Sequence, residues 1–224
     1  MNITWLGQAG LHIETEKTGL LVDPYLSDSV GKKNPNMRRR YPPDTSFLHL
    51  KPDIILLTHN HIDHTDPETL PYYLQEPVEC LASGNSWQML REMEGKHHAI
   101  LFNRHSEWSS RDMHFIAVYA EHSDSHAIGA VIEAEGKRLY ITGDTLYNRM
   151  IFDDVLPLGK MDLLFLPVNG VGNNMNLTDA ARFCERIKPD CAIPMHYGMY
   201  DDLDPRDFTY SSRMILEPYK KFEF

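Results

Sequence analysis

The stretch Thr58-His59-Asn60-His61-Ile62-Asp63-His64 carries three histidines and an aspartate within six residues. It directly follows the apolar run Asp53-Ile54-Ile55-Leu56-Leu57, which is short and rich in branched side chains. We therefore predict a buried strand that ends at the first histidine. Side chains at positions i and i+2 of an extended chain point the same way, so His59 and His61 can converge on one point.

The remaining two polar residues of this motif, Asp63 and His64, follow where the chain turns and can face a second point. Three imidazoles and a carboxylate beside a strand end suit one or two divalent metal ions. Zinc is the first candidate, and manganese and iron remain open. The alternative is a purely structural role, which is unfavourable because protonated histidines would repel one another and buried neutral ones would need partners.

The composition predicts a soluble globular protein with one compact domain over residues 1–224. Hydrophobic residues make up 42% and charged residues 24% of the chain, which allows a substantial core. The formal charge of −10 argues against binding of nucleic acid or of an anionic membrane. A local basic pocket for a small anion stays open, and no apolar run approaches the roughly 20 residues that span a bilayer.

The cysteines and the N-terminus predict a cytoplasmic protein. Cys80, Cys184 and Cys191 are widely spaced and form no CxxC pair, so we expect buried thiols rather than a disulfide framework. Met1 to Trp5 has no basic segment followed by an apolar run, so no signal peptide is expected.

Short strands come first, and strands later alternate with helices. The pattern predicts strands over 2–6, 11–15, 20–23, 53–57, 78–82, 99–102, 113–120, 128–133, 138–142, 162–168 and 192–195. It predicts a hairpin turn at Glu135-Gly136 and helices over 67–75, 86–93 and 179–187. Thr178 is the predicted cap of the third helix, and Asp204-Pro205 is predicted to begin a last one. Two sheets with helices outside fit this order.

Residues 27–46 are the one concentrated basic stretch, punctuated by prolines. They form either a solvated loop or a flap that brings positive charge to an anionic substrate. Guanidinium groups match phosphate geometry, so four arginines are candidates for substrate binding, with Arg40 our assignment: Arg38, Arg39, Arg40 and Arg149.

Two metals need about four ligands each, so further ligands should lie at the ends of later strands. Three positions qualify. His122 follows the strand predicted over 113–120, and His196 follows the one over 192–195. Asp144 follows a strand that ends in Gly143, where the missing side chain permits close backbone approach.

Taken together, these positions resemble the metallo-β-lactamase fold superfamily, with its HxHxDH signature, later histidine, Gly-Asp-Thr and terminal histidine. The resemblance extends from Trp5-Leu6-Gly7-Gln8-Ala9-Gly10 to Pro194-Met195-His196-Tyr197. Within it, Asp23-Pro24-Tyr25 and Asn174-Met175-Asn176 resemble the branch of the ascorbate-6-phosphate lactonases and related metal-dependent hydrolases.

The resemblance implies an α/β (α+β) fold, a four-layer αββα sandwich of two mixed sheets flanked by helices. It also implies two ligand sets, with Asp144 bridging them: His59, His61 and His122 for one metal, and Asp63, His64 and His196 for the other.

The same resemblance suggests further roles at the site. Asp63 would orient the attacking hydroxide and take its proton, and His126 would donate a proton to the leaving group unless it is only a supporting or surface histidine. Tyr197 is either a substrate contact or a packed aromatic. Asn176 either lines the pocket or, with Asn169, Asn173 and Asn174, forms turns.

These features favour a metal-dependent hydrolase in which a metal-bound hydroxide attacks a small anionic ester or lactone, for example a phosphorylated sugar lactone. The alternatives are a phosphodiesterase or nuclease of the same fold and a catalytically inactive metal-binding regulatory protein. The expected partner is a small anionic metabolite, without nucleic acid or membrane, and a homo-oligomer remains open.

Overall fold

The fold was analysed in a computed structural model that describes residues 1–199 and 201–224. Its first sheet has seven strands in the order β13-β1-β2-β3-β4-β5-β6. Strands β3 to β6 are parallel to one another, whereas β13, β1, β2 and β3 pair antiparallel. The strands are β1 Asn2–Trp5, β2 Leu11–Glu14, β3 Gly19–Val22, β4 Ile54–Leu57, β5 Glu79–Ala82, β6 His98–Leu101 and β13 Lys221–Glu223.

The second sheet has six strands in the order β12-β11-β10-β9-β8-β7. Strands β7 to β10 form an antiparallel meander, and β10, β11 and β12 are parallel. The strands are β7 Glu107–Ser110, β8 Met113–Tyr119, β9 Ile128–Ala134, β10 Lys137–Ile141, β11 Leu163–Pro167 and β12 Cys191–Met195. Glu135 and Gly136 join β9 to β10 with φ of 51° and 71°, which confirms the predicted hairpin turn.

Helices cover the outer faces of both sheets. They are α1 Ser29–Lys33, α2 Leu70–Tyr73, α3 Gly84–Glu92, α4 Met150–Val155 and α5 Leu177–Ile187. Leu70 of α2 and Leu90 of α3 belong to the apolar cluster on the outer face of the first sheet. Helix α5 packs on the second sheet, where the rings of Tyr140 and Phe183 lie 6.3 Å apart. The mixed sheets and flanking helices confirm the predicted sandwich.

The side chains of β4, the strand before the histidine motif, alternate between two apolar clusters. Ile54 and Leu56 of β4 belong to the core between the sheets, whereas Ile55 and Leu57 face the cluster under α2 and α3. All four are fully buried. An unbroken apolar run is what a strand covered on both faces requires.

Several predicted elements differ in the structure. The helix expected at Pro67 begins at Leu70, because the Asp66 carboxylate accepts hydrogen bonds from the Glu68 amide and the Thr69 hydroxyl and holds a turn there. The last predicted helix is a single 3-10 turn, Pro205–Asp207, capped by Asp204. Strands β7 and β13 and helices α1 and α4 lie where no element was predicted.

The helices and the cysteines bear on the membrane and disulfide predictions. Within residues 1–199 and 201–224, no helix has the length and apolar character needed to cross a membrane. Cys80 and Cys184 are buried free thiols, and Cys191 is a half-buried one.

Candidate metal centre

The predicted ligands meet at one edge of the sandwich. The motif residues follow β4 of the first sheet, while His122, Asp144 and His196 follow β8, β10 and β12 of the second. The last three strands run in the same direction, so their carboxyl ends bring distant parts of the chain to one place.

A first group consists of His59, His61, His122 and Asp144. One ligand atom from each of these residues lies within 4.8 Å of the others. The ring of His122 is centred 4.3 Å from that of His59 and 4.6 Å from that of His61.

A second group consists of Asp63, His64 and His196, whose ligand atoms also lie within 4.8 Å of one another. Nε2 of His64 is 3.1 Å from Nε2 of His196. Oδ2 of Asp63 is 3.4 Å from the latter nitrogen.

Asp144 lies between the two groups. Its Oδ2 is 3.1 Å from Nε2 of His196 and 3.9 Å from Nε2 of His59. Its Oδ1 is 3.3 Å from Nε2 of His64. One carboxylate therefore reaches ligand nitrogens of both groups, which is the geometry required of a bridging ligand.

The donor atoms fit a divalent cation. Nε2 of His59, Nε2 of His122 and Oδ1 of Asp144 are buried, and none has a hydrogen-bond partner among the described residues. Buried polar atoms are normally paired, so unpaired nitrogens that converge beside a carboxylate require explanation. Imidazole and carboxylate donors are those that zinc and similar ions prefer, so a bound ion supplies the missing partner.

Burial keeps the rings of His59 and His122 neutral. It lowers the pKa of His59 well below the usual histidine value, with the neighbouring His64 acting in the same direction. Burial also lowers the pKa of His122 to about 4, against the attraction of Asp144. At neutral pH both rings therefore keep a lone pair for a cation.

In the second group, by contrast, the pKa values of the two histidines are raised. Burial acts to lower the pKa of His196, but Asp144 and Asp63 outweigh it and raise that pKa to about 9. The pKa of His64 likewise lies well above its ordinary value because of Asp144, Asp23 and Asp63. In the metal-free protein these rings hold protons, which a cation must displace.

Two side chains outside the predicted set orient the ligands. The Asp23 carboxylate lies 2.8 Å from Nδ1 of His64 and also accepts hydrogen bonds from the amide and hydroxyl of Thr58. Asn174 donates from Nδ2 to Oδ2 of Asp144 at 3.1 Å. Partners of this kind fix the direction in which a ligand points.

Three residues at or beside the candidate centre have strained backbone conformations. Gln8, Asp23 and His196 have φ of 53°, 41° and 57°, in the left-handed region that residues other than glycine rarely adopt. The His196 amide donates to the Gln8 carbonyl at 3.0 Å, so two of the strained residues hold each other. Such conformations cluster at functional sites.

Tyr197, which was predicted to be either a substrate contact or a packed aromatic, has a packed side chain. It is among the largest fully buried ones, and its ring packs 5.0 Å from Trp5 and 6.3 Å from Tyr41. This environment is the one expected of a packed aromatic.

Asn176 is placed differently from the prediction. Its side chain accepts a hydrogen bond from the Asp179 amide and caps α5, which makes it the cap in place of Thr178. The asparagines that reach the candidate centre are Asn174, beside Asp144 and His196, and Asn169, whose Nδ2 is 3.3 Å from Nδ1 of His196.

The basic stretch contributes structure as well as charge. Arg39 is half-buried and donates to the carbonyls of Leu6 and Tyr41 and to the Tyr219 hydroxyl, which pins the segment to the fold. Arg40 is exposed, donates to the Leu203 carbonyl at 3.0 Å and lies over the Tyr41 ring. Arg40 therefore presents its charge at the surface, as the neighbouring Arg38 does.

His126 lies beside the centre rather than in it. Its side chain is 50% exposed, and Nδ1 is 3.9 Å from Oδ1 of the buried Asp124. Asp124 also accepts hydrogen bonds from the Asn60 amide and the Asn85 side chain, which ties the His126 loop to the histidine motif.

The sequence matches a known family over most of its length. A family model described as a beta-lactamase superfamily domain covers residues 2–196. A UPF0173 protein of Pyrococcus furiosus is 30% identical over the whole of both chains. The chain belongs to the UPF0173 family of the metallo-β-lactamase superfamily. A second member, the UPF0173 metal-dependent hydrolase of Thermoplasma acidophilum, is 32% identical over 93% of this chain and 89% of its own.

A solved structure shares the fold of this UPF0173 protein. Igni18, a metallo hydrolase of the archaeon Ignicoccus hospitalis, superposes with a TM-score of 0.75 at 22% identity, over 100% of this chain and 98% of its own. The family membership makes the protein a metal-dependent hydrolase, and the two residue groups provide a candidate place for the metal.

Proposed function

We propose that the protein hydrolyses a small anionic ester or lactone at a site that holds one or two divalent cations. The observation that carries the proposal is the position of Asp144 between two groups of ligand atoms, the first of which contains unpaired buried nitrogens. His59, His61 and His122 would hold one cation, and Asp63, His64 and His196 the other. When bound, such a cation lowers the pKa of a water ligand from about 16 to about 7 and polarises the attacked carbonyl.

Asp63 is the proposed acceptor for the proton of the attacking water. The pKa of its buried carboxyl is lowered, because the positive charges of His64 and His196 outweigh the effect of burial. It therefore stays ionised at neutral pH and can accept a hydrogen bond. Gln8 lies near it, with Nε2 at 3.4 Å from Oδ2, and helps to fix its orientation.

His126 is the proposed proton donor to the leaving group. Its ring packs over Gly84, since a Cβ on that glycine would lie 2.7 Å from a ring carbon. It remains half exposed, so it can exchange protons with solvent and reach a bound molecule. Its loop is held to the motif through Asp124.

The position of Arg40 supports the proposal that the substrate is an anion, because its exposed guanidinium lies beside the chain that follows His196. Its amide donates to the Gly198 carbonyl at 2.6 Å, which keeps it there. A phosphorylated sugar lactone is the member of this class that the resemblance to the lactonase branch suggests. We further propose a cytoplasmic location, since Cys80, Cys184 and Cys191 are free thiols, as a reducing compartment favours.

The test combines metal analysis with a substrate panel. Protein loaded with zinc, manganese or iron is assayed on lactones, carboxylic esters and phosphodiesters, alongside His61→Ala and the control His98→Ala, an exposed histidine on β6. We expect ester or lactone hydrolysis that is abolished in His61→Ala and kept in His98→Ala. Loaded protein that cleaves only phosphodiesters, or no member of the panel, would overturn the proposal.

A further inference from the structure

A cavity of about 430 Å³ opens beside the first ligand group. It lies between the motif loop and the segment that contains α1 and the 3-10 turn Pro35–Met37. Its volume is in the range of sites for small molecules. The lining residues are Val30, Lys33, Asn34, Met37, Asn60, His61, Ile62 and Asp63. Because His61 and Asp63 are among them, a molecule in this cavity would border the candidate metal centre.

Three of the lining residues are apolar and belong to one packed cluster, Val30, Met37 and Ile62. Val30 is buried in a small cluster with Tyr25 and Met199, which is separate from the two larger cores. Met37 and Ile62 are half-buried and pack on that cluster. Their remaining surface lines the cavity, so an apolar group placed there would leave water.

The lining of the cavity includes one positively charged side chain, that of Lys33. Lys33 is exposed at the end of α1, and it forms no ion pair within residues 1–199 and 201–224. The preceding Lys32 differs, since its ammonium group pairs with Glu68 and lies outside the lining. Lys33 is therefore available to attract one negative charge.

We propose that this cavity binds an aliphatic group of the substrate, and that Lys33 binds one anionic group on the same molecule. The inference rests on the proposed function and narrows its substrate class to alkyl-substituted lactones or esters with a single negative charge. In the reaction, water adds across the acyl carbon–oxygen bond. An ester gives a carboxylate, an alcohol and one released proton, and a lactone gives one hydroxycarboxylate and one released proton, so no other reactant is needed.

The lining argues against a sugar phosphate in this position. Sugar hydroxyls placed against Val30, Met37 and Ile62 would lose water without gaining hydrogen-bond partners. Methylene groups gain from the same transfer. The phosphorylated sugar lactone of the broader proposal is therefore the comparison substrate that this inference predicts to be poor.

The first experiment measures kcat/KM of the metal-loaded protein on one ring size with different substituents. The probes are δ-valerolactone, δ-octalactone and δ-decalactone, which are uncharged and so test the apolar cavity alone, and 6-phosphogluconolactone. We expect kcat/KM to rise up to about fourfold for each buried methylene, the factor that corresponds to the transfer free energy of about 0.8 kcal/mol. Met37→Gln should flatten this gradient, whereas Met89→Gln, a half-buried methionine of α3 outside the lining, should keep it.

The second experiment measures binding without turnover. Calorimetry of metal-free protein with hexanoate, octanoate and decanoate should give tighter binding with each methylene, and weaker binding throughout in Lys33→Gln. Lys32→Gln is the matched control, and it should bind as the wild type does. This readout does not depend on the metal or on catalysis.

The outcomes separate the two proposals. If the loaded protein hydrolyses lactones but prefers 6-phosphogluconolactone, or shows no gradient with chain length, the apolar subsite is overturned and the hydrolase proposal stands. If no lactone or ester is cleaved at all, both fall. Identical carboxylate binding by Lys33→Gln and the wild type would remove the lysine from the proposal.

Discussion

The Asp23 carboxylate lies 2.8 Å from Nδ1 of His64, at the end of the strand that neighbours β4. This contact fixes the ring so that its other nitrogen, Nε2, faces His196 and Asp144. When a carboxylate binds the ring nitrogen of a histidine that does not face the metal, it sets both the tautomer and the direction of the ring. Asp23 thus belongs to the candidate centre although it faces no cation itself.

Replacing Asp23 tests this arrangement. Asp23→Asn keeps the size of the side chain but removes the charge, and we expect divalent-metal affinity to fall by roughly 10- to 100-fold. Chelator competition measures the change. The control is Asp53→Asn, whose native carboxylate binds the Gly19 amide and Arg111 away from the centre. Equal affinities in the two variants would contradict the orienting role.

The protonated histidines of the metal-free site predict a pH dependence of stability. The pKa of His196 is about 9 in the folded protein, against about 6.5 in an unfolded chain. The folded state therefore holds more protons between these values. The resulting stabilisation is complete below pH 6.5 and is lost as the pH rises through about 9. Urea unfolding of chelator-treated protein should show this decline, and His196→Gln should reduce its slope.

The affinity for the metal should rise with pH, whereas the stability of the metal-free protein should fall. The cation needs unprotonated nitrogens, so binding at pH 7 should release protons and should tighten as the pH rises toward 9. Calorimetry in buffers of different ionisation enthalpy counts the released protons. An affinity that does not change between pH 7 and pH 9 would contradict protonation of His64 and His196.

The sequence was sufficient to predict that the candidate ligands lie together. Each predicted ligand lies at or just beyond the end of a strand, and strand ends are marked by local signals such as the apolar run over Ile54–Leu57. The sandwich followed from the order of strands and helices together with the resemblance. These features depend on short-range patterns that a sequence displays directly.

The residues that orient the ligands could not be predicted in the same way. Asp23 contacts the motif only because β3 pairs in parallel with β4, with Val22 opposite Leu56, and nothing local to residue 23 encodes that pairing. Tyr197 was uncertain for the related reason that its direction depends on packing against Trp5. Strand β13 has polar and charged residues and exists because it pairs with the edge of β1.

An ion pair on the far side of the second sheet gives a stability prediction. Asp154 of α4 accepts hydrogen bonds from Nε and Nη2 of Arg104 at 2.7 and 2.8 Å and from the Tyr119 amide at 2.9 Å. Its side chain is 6% exposed. Because the fork geometry is complete and the carboxylate is largely buried, Asp154→Asn should lower the free energy of unfolding by about 2 kcal/mol at pH 7.

The effect of Asp154→Asn should depend on pH in a stated direction. Burial acts to raise the pKa of Asp154, but Arg104 and the Tyr119 amide lower it more. Its contribution is therefore present above the unfolded value of about 3.9 and disappears as the pH falls through the lower folded value. Urea unfolding at pH 7 and pH 3 checks this, with Asp153→Asn at the exposed neighbouring position as the control. A difference between wild type and Asp154→Asn that stays the same at both pH values would contradict the assignment.

Gly143 links the packing of the second sheet to the candidate centre, and its replacement tests that link. Its φ is +61°, and a Cβ at this position would lie 2.8 Å from the Ile128 carbonyl oxygen and 3.0 Å from Cβ of Thr58. Thr58 precedes the first ligand histidine, and Gly143 precedes Asp144. Gly143→Ala should therefore push both groups of ligands out of place.

The matched control is Gly136→Ala, because Gly136 has a φ of +71° but no atom within 4 Å of the added Cβ in the described part of the chain. Both variants incur backbone strain of roughly 1–2 kcal/mol. Only Gly143→Ala also meets fixed neighbours, which should cost roughly 1–3 kcal/mol more in urea unfolding. Only that variant should lose metal affinity, by tenfold or more in chelator competition, since ligand geometry tolerates little displacement. If the two alanine variants bound metal equally well, the close approach at Gly143 would not be what sets the spacing between Asp144 and the histidine motif.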